Sequence, residues 1–290
     1  MKRKLYNFTH TSFLKSKIYT PNTINDLLKL TKTKHTIVGN RRSYGDSFIG
    51  KKKIISLKNF NKILNINYKN KTVKVEGGTL LYNLFKSTLI KNLILTCAPG
   101  CKYVSVGGMI ANNVSGKLTR KNSIKNYIKS IKILTNKKKI IDCSKHKNKQ
   151  VFNLTVGGKG RTGPIISAEL YLEKINSNKI LQRALHFSNY KEFFFQLNKI
   201  KNYKYSFCWI DFTKENLSGI IFVGSHIGNK NIIKFKFNDY KLPVFLMENL
   251  DLLLNNRLFT ILFNKLFKYK YLIFNNKITD INSFYFPQNK

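Results

Sequence analysis

Three glycine-rich loops, each set against a short β-like run, constrain this chain more than any other feature. They are VGNRRSYGDS (38–47), APGCKYVSVGGMIANNVSGK (98–117) and TVGGKGRTGPII (155–166). Glycine loses more backbone freedom on folding than any other residue, so this density marks turns at positive φ, or places where another backbone or a ligand comes close. One such loop is weak; three in one domain suggest a long ligand laid across several strand ends. The first loop adds Arg41, Arg42, Ser43 and Tyr44 to amides exposed by glycine, a mixture suited to an oxyanion, most often a phosphate. Taken alone it reads equally well as a polar β-turn.

The sequence around the loops predicts an α+β fold. Thr23 and Asp26 form a cap signature ahead of INDLLKL, which predicts a first helix. TIV, KIISL and TVKVE read as strands, the last with Val73 and Val75 alternating with Lys74. Gly77-Gly78-Thr79 opens a second helix with Leu81, Leu84, Phe85 and Leu89 as its buried stripe, and SIKIL, KIIDC and PIISAELYLE read as further strands. Asn176-Ser177-Asn178 marks a boundary, giving domains 1–175 and 176–290. The second contains EFFFQL as a helix, YSFCWIDF and GIIFVGSH as strands, and an apolar, basic, helical segment from Val244 to Phe267. There Leu250, Leu254, Leu258, Ile261 and Leu262 recur near helical spacing beside Lys265 and Lys268. That segment reads either as a core helix or as an interfacial helix meeting an anionic bilayer.

Gly158-x-Gly160-x-x-Gly163 formally matches a dinucleotide fingerprint, but such a fingerprint must open a helix. Here Pro164 leads into Ile166, Ala168, Leu170 and Leu172 alternating with Ser167, Glu169 and Tyr171, the period of a strand.

The formal net charge of +40, from 53 Lys+Arg against 13 Asp+Glu, would attract any polyanion. The lysines are spread over the whole length without a basic block, and no helix-turn-helix, zinc-finger or aromatic RNA-binding signature is present. Specific nucleic-acid binding is therefore not expected, only non-specific binding at low salt. Four cysteines and no secretory signal suggest a reduced, cytoplasmic protein. Cys97 and Cys101 have no second Cys or His pair to complete a zinc set, so no metal site is expected. Glu248, Asp251 and Arg257 interrupt the longest apolar run, which leaves nothing long enough to span a bilayer.

The three loops, in this order, resemble the FAD-binding PCMH-type domain of the vanillyl-alcohol-oxidase superfamily, and within it most closely the decaprenylphosphoryl-β-D-ribose 2-oxidase branch. Gly39–Ser47 matches a GxGRSYGDS-like loop, Pro99–Lys117 a PGTxxVTVGGAIAxxxHGK-like segment, and Thr155–Ile166 a TVGGxGxTGII-like turn and strand. YSFCWID (Tyr205–Asp211) and FYFP (Phe284–Pro287) are similar to landmarks of the family's substrate domain. The resemblance implies an FAD domain followed by a truncated α+β substrate (cap) domain. Gly39, Asn40, Arg41, Arg42, Ser43, Tyr44 and Gly45 would hold the pyrophosphate. Gly107 and Gly108 would let backbone approach the flavin, and Val104, Ser105, Ala111 and Val114 would line its isoalloxazine and ribityl, with Pro99, Gly100, Ser115, Gly163 and Ile165 also binding the cofactor. Asp46 stands where covalent relatives carry histidine, which implies non-covalent FAD. The implied chemistry is oxidation of a sugar hydroxyl on a polyprenyl-phosphate-linked substrate by hydride transfer, with a short-chain reductase as partner; peripheral contact at the inner face of the membrane goes with the interfacial reading of the Val244–Phe267 segment.

Four departures from the pattern bear on these expectations. Arg41 replaces a usual glycine and would strain the turn at positive φ. Ser115 replaces the histidine of HGK, and LTRKNSIKNYI after Lys117 lacks the family's paired histidines, although Asn126 is retained. The family continues beyond FYxPLD and returns with a lysine base. The chain as given stops at FYFPQNK, so no residue is assigned as catalytic base, and the expectation is an oxidase fragment without turnover on its own, or one half of a split oxidase.

Overall fold

The computed structural model of the chain describes residues 3–6, 13–43, 45, 53–121, 123–228 and 256–286. It divides into two compact units, Met1–Gly116 with Ser123–Lys174, and Lys117–Asn122 with Ile175–Lys290. Both mix helices with sheets, so the fold class is α+β.

In the first unit, β1 (Arg3–Tyr6), β2 (Phe13–Tyr19), β3 (Thr36–Val38) and β4 (Lys53–Ser56) form a sheet ordered β1-β2-β4-β3. β1 runs antiparallel to β2, whereas β2 and β3 both run parallel to β4. The crossover from β2 to β3 is α1 (Ile24–Leu30), started by a capping box in which Asp26 N–H donates to Thr23 Oγ1 at 3.0 Å and Thr23 N–H to Asp26 Oδ2 at 3.1 Å. Leu27 of α1 is fully buried with Ile55, Leu57, Phe60, Leu134 and Ile166.

A second, antiparallel sheet is ordered β5-β6-β10-β8-β9, from β5 (Ile63–Asn67), β6 (Thr72–Glu76), β8 (Ile128–Leu134), β9 (Ile140–Cys143) and β10 (Ile165–Tyr171). β7 (Leu93–Ile94) and β11 (Glu173–Lys174) form a separate short pair. In β6, Val73 and Val75 are buried and Lys74 exposed, as alternation predicts. β10 lies between β6 and β8, and its residues 165–168 are all buried, which erases the expected alternation. The helices are α2 (Leu81–Thr88), with Leu81, Leu84 and Phe85 inward, α3 (Val106–Ala111) and α4 (Lys149–Thr155). The sequence carries no clear signal for β1, β2 or α4; α4 buries only Phe152 and Thr155 and starts without a side-chain cap.

In the second unit, β12 (Lys179–Phe187), β13 (Tyr205–Ile210), β14 (Gly219–His226) and β15 (Asn276–Asp280) form an antiparallel sheet ordered β13-β14-β12-β15. α5 (Tyr190–Lys199) covers one face through Phe193 and Leu197 on Phe187, Ile221 and Val223. On the other face, Phe267 and Tyr271 of α6 (Arg257–Ile273) pack on a cluster of Ala184, Trp209, Ile220 and Phe222. The last helix is α7 (Ile281–Tyr285).

The stretch 117–122 belongs to the second unit because its backbone pairs there. Ser206 N–H donates to Lys117 O at 2.7 Å, Thr119 N–H to Lys204 O at 3.1 Å, and Leu118 bridges Tyr205. Of the segment read as helical from Val244 to Phe267, residues 244–255 lie outside the described residues, and the helix continues past Phe267 to Ile273.

Candidate functional site

The first loop leaves β3 at Val38. A Cβ on Gly39 would overlap the Ser105 hydroxyl, which would have to turn away from its present position. Asn40 Nδ2 donates to Tyr103 O at 2.7 Å, which ties the first loop to the second. Arg41 has φ 51°, a left-handed conformation that costs any residue with a Cβ. The Arg42 guanidinium sits 5.7 Å from the centroid of the Tyr103 ring. Among the described residues, the main-chain N–H groups of Gly39, Asn40, Arg41 and Ser43 donate to no main-chain carbonyl.

The second loop is held against the end of β6. Gly77 N–H donates to Ile166 O at 2.8 Å and Gly78 N–H to Phe60 O at 2.7 Å, while Gly107 N–H donates to Gly77 O at 2.7 Å. Ser105 caps α3 by accepting from Gly108 N–H at 3.3 Å. The third loop closes the other end of α3, with Gly157 N–H to Ile110 O at 3.0 Å and Lys159 N–H to Ala111 O at 2.9 Å. Its glycines at 157, 160 and 163 all have positive φ, and a strand, not a helix, follows.

These ties bring the three loops around one cavity of ≈ 530 Å³. Gly39, Asn40, Arg41, Arg42, Ser43 and Gly45 line it from the first loop. Pro99, Gly100, Val104, Ser105, Gly107, Gly108, Ala111 and Val114 line it from the second, and Gly163 and Ile165 from the third. Ser115 does not line it: this residue is exposed and forms an isolated bridge with Ser123. Tyr44 and Asp46 lie outside the described residues. Beyond the residues expected from the sequence, the lining includes Ile37, Val38, Leu57, Gly77, Cys101, Met109, Asn112, Lys159 and Gly160. Gly77 and Gly160 carry a signal, since both stand in glycine clusters beside strands; the apolar members look like ordinary core.

The cavity combines three cationic side chains, Arg41, Arg42 and Lys159, with apolar walls and open glycine backbone. Lys159 Nζ is fixed by donating to Asn112 Oδ1 at 2.7 Å. Where a Cβ would stand on Gly45, Gly100 or Gly160 there is no atom within 4 Å. Such an arrangement takes an extended ligand that carries both anionic and flat apolar parts. Cys97, behind the second loop, is no nucleophile: burial pushes its thiol up to about 12, and it donates to Val114 O at 3.7 Å. Among the described residues no group of His, Cys, Asp and Glu could hold a metal ion.

Residues 19–144 match the family model of the FAD binding domain. The chain is 29% identical over 175 residues to decaprenylphosphoryl-beta-D-ribose oxidase of Mycolicibacterium smegmatis, covering 59% of this chain and 38% of that one. It is 29% identical over 137 residues to D-lactate dehydrogenase of Anaerostipes hadrus, covering 45% and 28%. With cytokinin dehydrogenase 1 of Arabidopsis thaliana it shares 30% over 109 residues, covering 37% and 19%. The matches thus span well under half the length of these relatives.

Proposed function

We infer, for a chain whose residues 19–144 carry an FAD binding domain, that it serves an FAD-dependent oxidation of a CH–OH group, and that the hydroxyl belongs to the sugar of a polyprenyl-phosphate-linked ribose. The observation that carries the FAD reading is the convergence of three glycine loops, tied by Asn40, Gly107, Gly157 and Lys159, on one cavity. The sugar substrate rests on the similarity to the ribose oxidase, which covers 59% of this chain. A short-chain reductase acting on the resulting keto sugar is the partner that this chemistry calls for.

The residues present fit FAD. Arg41 and Arg42 would hold its pyrophosphate through charge-assisted hydrogen bonds, together with the first loop's main-chain amides. Gly45, Gly100 and Gly160 leave open the space that side chains would fill. Ile37, Val38, Val104, Met109, Val114 and Ile165 supply apolar wall that excludes water. The chemistry that FAD supplies in such a site is acceptance of a hydride from a carbinol carbon.

A second reading, FAD held by this chain without turnover, is favoured by the lining itself. Among its described residues there is no carboxylate and no histidine to take the hydroxyl proton, and Lys159, the lysine of the lining, is held by donating to Asn112 Oδ1. One experiment separates the two: anaerobic flavin bleaching of the FAD-loaded chain with a polyprenyl-phosphate-linked ribose. Bleaching supports oxidation by this chain, and stable colour in a flavin-loaded sample supports the second reading. Failure to load flavin would count against both.

A further inference from the structure

α6 is built with its apolar side outward. Its inward stripe is Thr260, Asn264, Phe267, Lys268 and Tyr271, positions three, four and seven apart that share a helical face. Asp211 draws that stripe in. Asn264 Nδ2 donates to Asp211 Oδ1 at 2.7 Å, Lys268 Nζ lies 3.3 Å from Asp211 Oδ2, and Lys268 Nζ donates to Ser218 Oγ at 2.8 Å. The opposite face is left to solvent: Leu258 is 77% exposed, Leu266 60%, Tyr269 61% and Leu272 60%, with Leu262 and Ile273 beside them. A contiguous apolar stripe of this kind on a domain surface marks a place that another body covers.

The charges along α6 and just after it have one sign. Arg257, Lys265 and Lys270 lie on the helix, Lys277 follows it, and no Asp or Glu occurs between Asp251 and Asp280. A second copy of this chain would bring the same cations against them, on a molecule that already carries +40, so self-association is opposed by charge. An anionic bilayer satisfies both features, taking leucines below the headgroups and lysines at them.

We propose that the outward face of α6, centred on Leu262, Leu266 and Tyr269, docks on an anionic lipid bilayer. This docking needs neither FAD nor the sugar substrate. The helix lies in the interface and does not cross it, since among the described residues no helix is long and apolar enough to span a membrane.

The test uses the full chain and vesicles of phosphatidylcholine alone or mixed equally with phosphatidylglycerol. Tyr269→Trp places a reporter in the stripe, read against the background of Trp209, which packs under the inward face of α6. On anionic vesicles the reporter's emission is expected to shift to the blue and to be quenched by brominated acyl chains, with little change on neutral ones. Leu262→Gln with Leu266→Gln keeps every charge and is expected to weaken partitioning by about tenfold or more. Sedimentation with anionic vesicles that leaves the reporter's emission unchanged, or that the double substitution does not diminish, would mean adsorption by net charge alone and would overturn the proposal. A reporter already blue-shifted without vesicles, whether in a dimer by equilibrium sedimentation or in a monomer that covers the stripe itself, would overturn it too. So would a blue shift on adding RNA but not vesicles, which would assign the face to nucleic acid.

Discussion

The main-chain N–H of Gly107 donates to the carbonyl of Gly77 at 2.7 Å, and nothing larger than hydrogen fits between them: a Cβ on Gly107 would stand 2.8 Å from that oxygen. α3 is thereby fixed on the end of β6. Gly107→Ala should push the two apart and destabilise the protein by about 2 kcal/mol, the range of small-to-large changes in packed sites. Urea unfolding of the variant checks this, and an unchanged midpoint would contradict it.

Gly108 differs in kind from its neighbour. A Cβ there meets only Ser105 Oγ, at 3.0 Å, and otherwise points to space beside the cavity that Gly108 lines. Gly108→Val should therefore fold with nearly wild-type stability and lose bound flavin, because the branched side chain takes up cofactor space. Flavin absorbance per chain, read beside the melting temperature, separates this from a folding defect.

Arg41 carries two opposed effects. At φ 51° a non-glycine residue costs roughly 1–2 kcal/mol, part of which glycine's extra chain entropy offsets. Arg41→Gly should raise stability by up to about 1 kcal/mol while weakening FAD binding through the lost charge. Thermal melts of the flavin-free protein and a flavin titration should move in opposite directions.

What is legible in the sequence is what local chemistry decides. The Thr23–Asp26 cap, the Val73–Lys74–Val75 alternation and the strand after Gly163 each follow from a few neighbouring residues. The strain at Arg41 is also readable, since glycine alone suits a left-handed turn position without cost. Long-range partners are not readable. The leucine periodicity of α6 fits a core helix and an interfacial helix alike; Asp211, 53 positions before Asn264, hydrogen-bonds it and holds the polar stripe inward, with the leucines exposed. Likewise nothing in Leu118-Thr119-Arg120 announces pairing beside Tyr205. Motif position places Ser115 at the site, but its bridge to Ser123 sets it outside the cavity lining.

Lys117 gives the second unit a pH signature. Its Nζ donates to Phe284 O at 2.9 Å and sits 4.2 Å from the Phe207 ring centroid, and burial lowers its value from 10.5 to about 7. Between those values the unfolded chain holds a proton that the folded chain has released, so stability rises with pH across that window. Below about 7 the folded state bears the full cost of a buried ammonium. The ring face and the carbonyl favour the ammonium and reduce that cost. Relative to Lys117→Met, which does not titrate, the unsubstituted chain should gain on the order of 2 kcal/mol from about pH 7 to about pH 10. Urea midpoints for both proteins across that range test it, and parallel curves would count against it.

Asp211 works in the opposite direction. Burial alone would raise its value, but hydrogen bonds from Thr213, Asn264 and Lys268 outweigh burial and hold it below the usual carboxylate range. Its contribution is then present above the unfolded carboxyl value and is lost as pH falls through the folded one. Asp211→Ala should cost about 3 kcal/mol at neutral pH by leaving Asn264 and Lys268 unpartnered by a carboxylate. That difference should shrink below the ordinary aspartate value of 3.8. Stability measured against pH for both proteins decides it.

Retention of FAD in the cavity between the three glycine loops, without a covalent bond, is tested most directly by the flavin content of the purified chain. The chain is supplemented with FAD and its flavin measured before and after acid precipitation. Close to one FAD per chain is expected, released wholly into the supernatant. A chain that carries no flavin, and whose addition leaves the FAD spectrum unchanged, would contradict it.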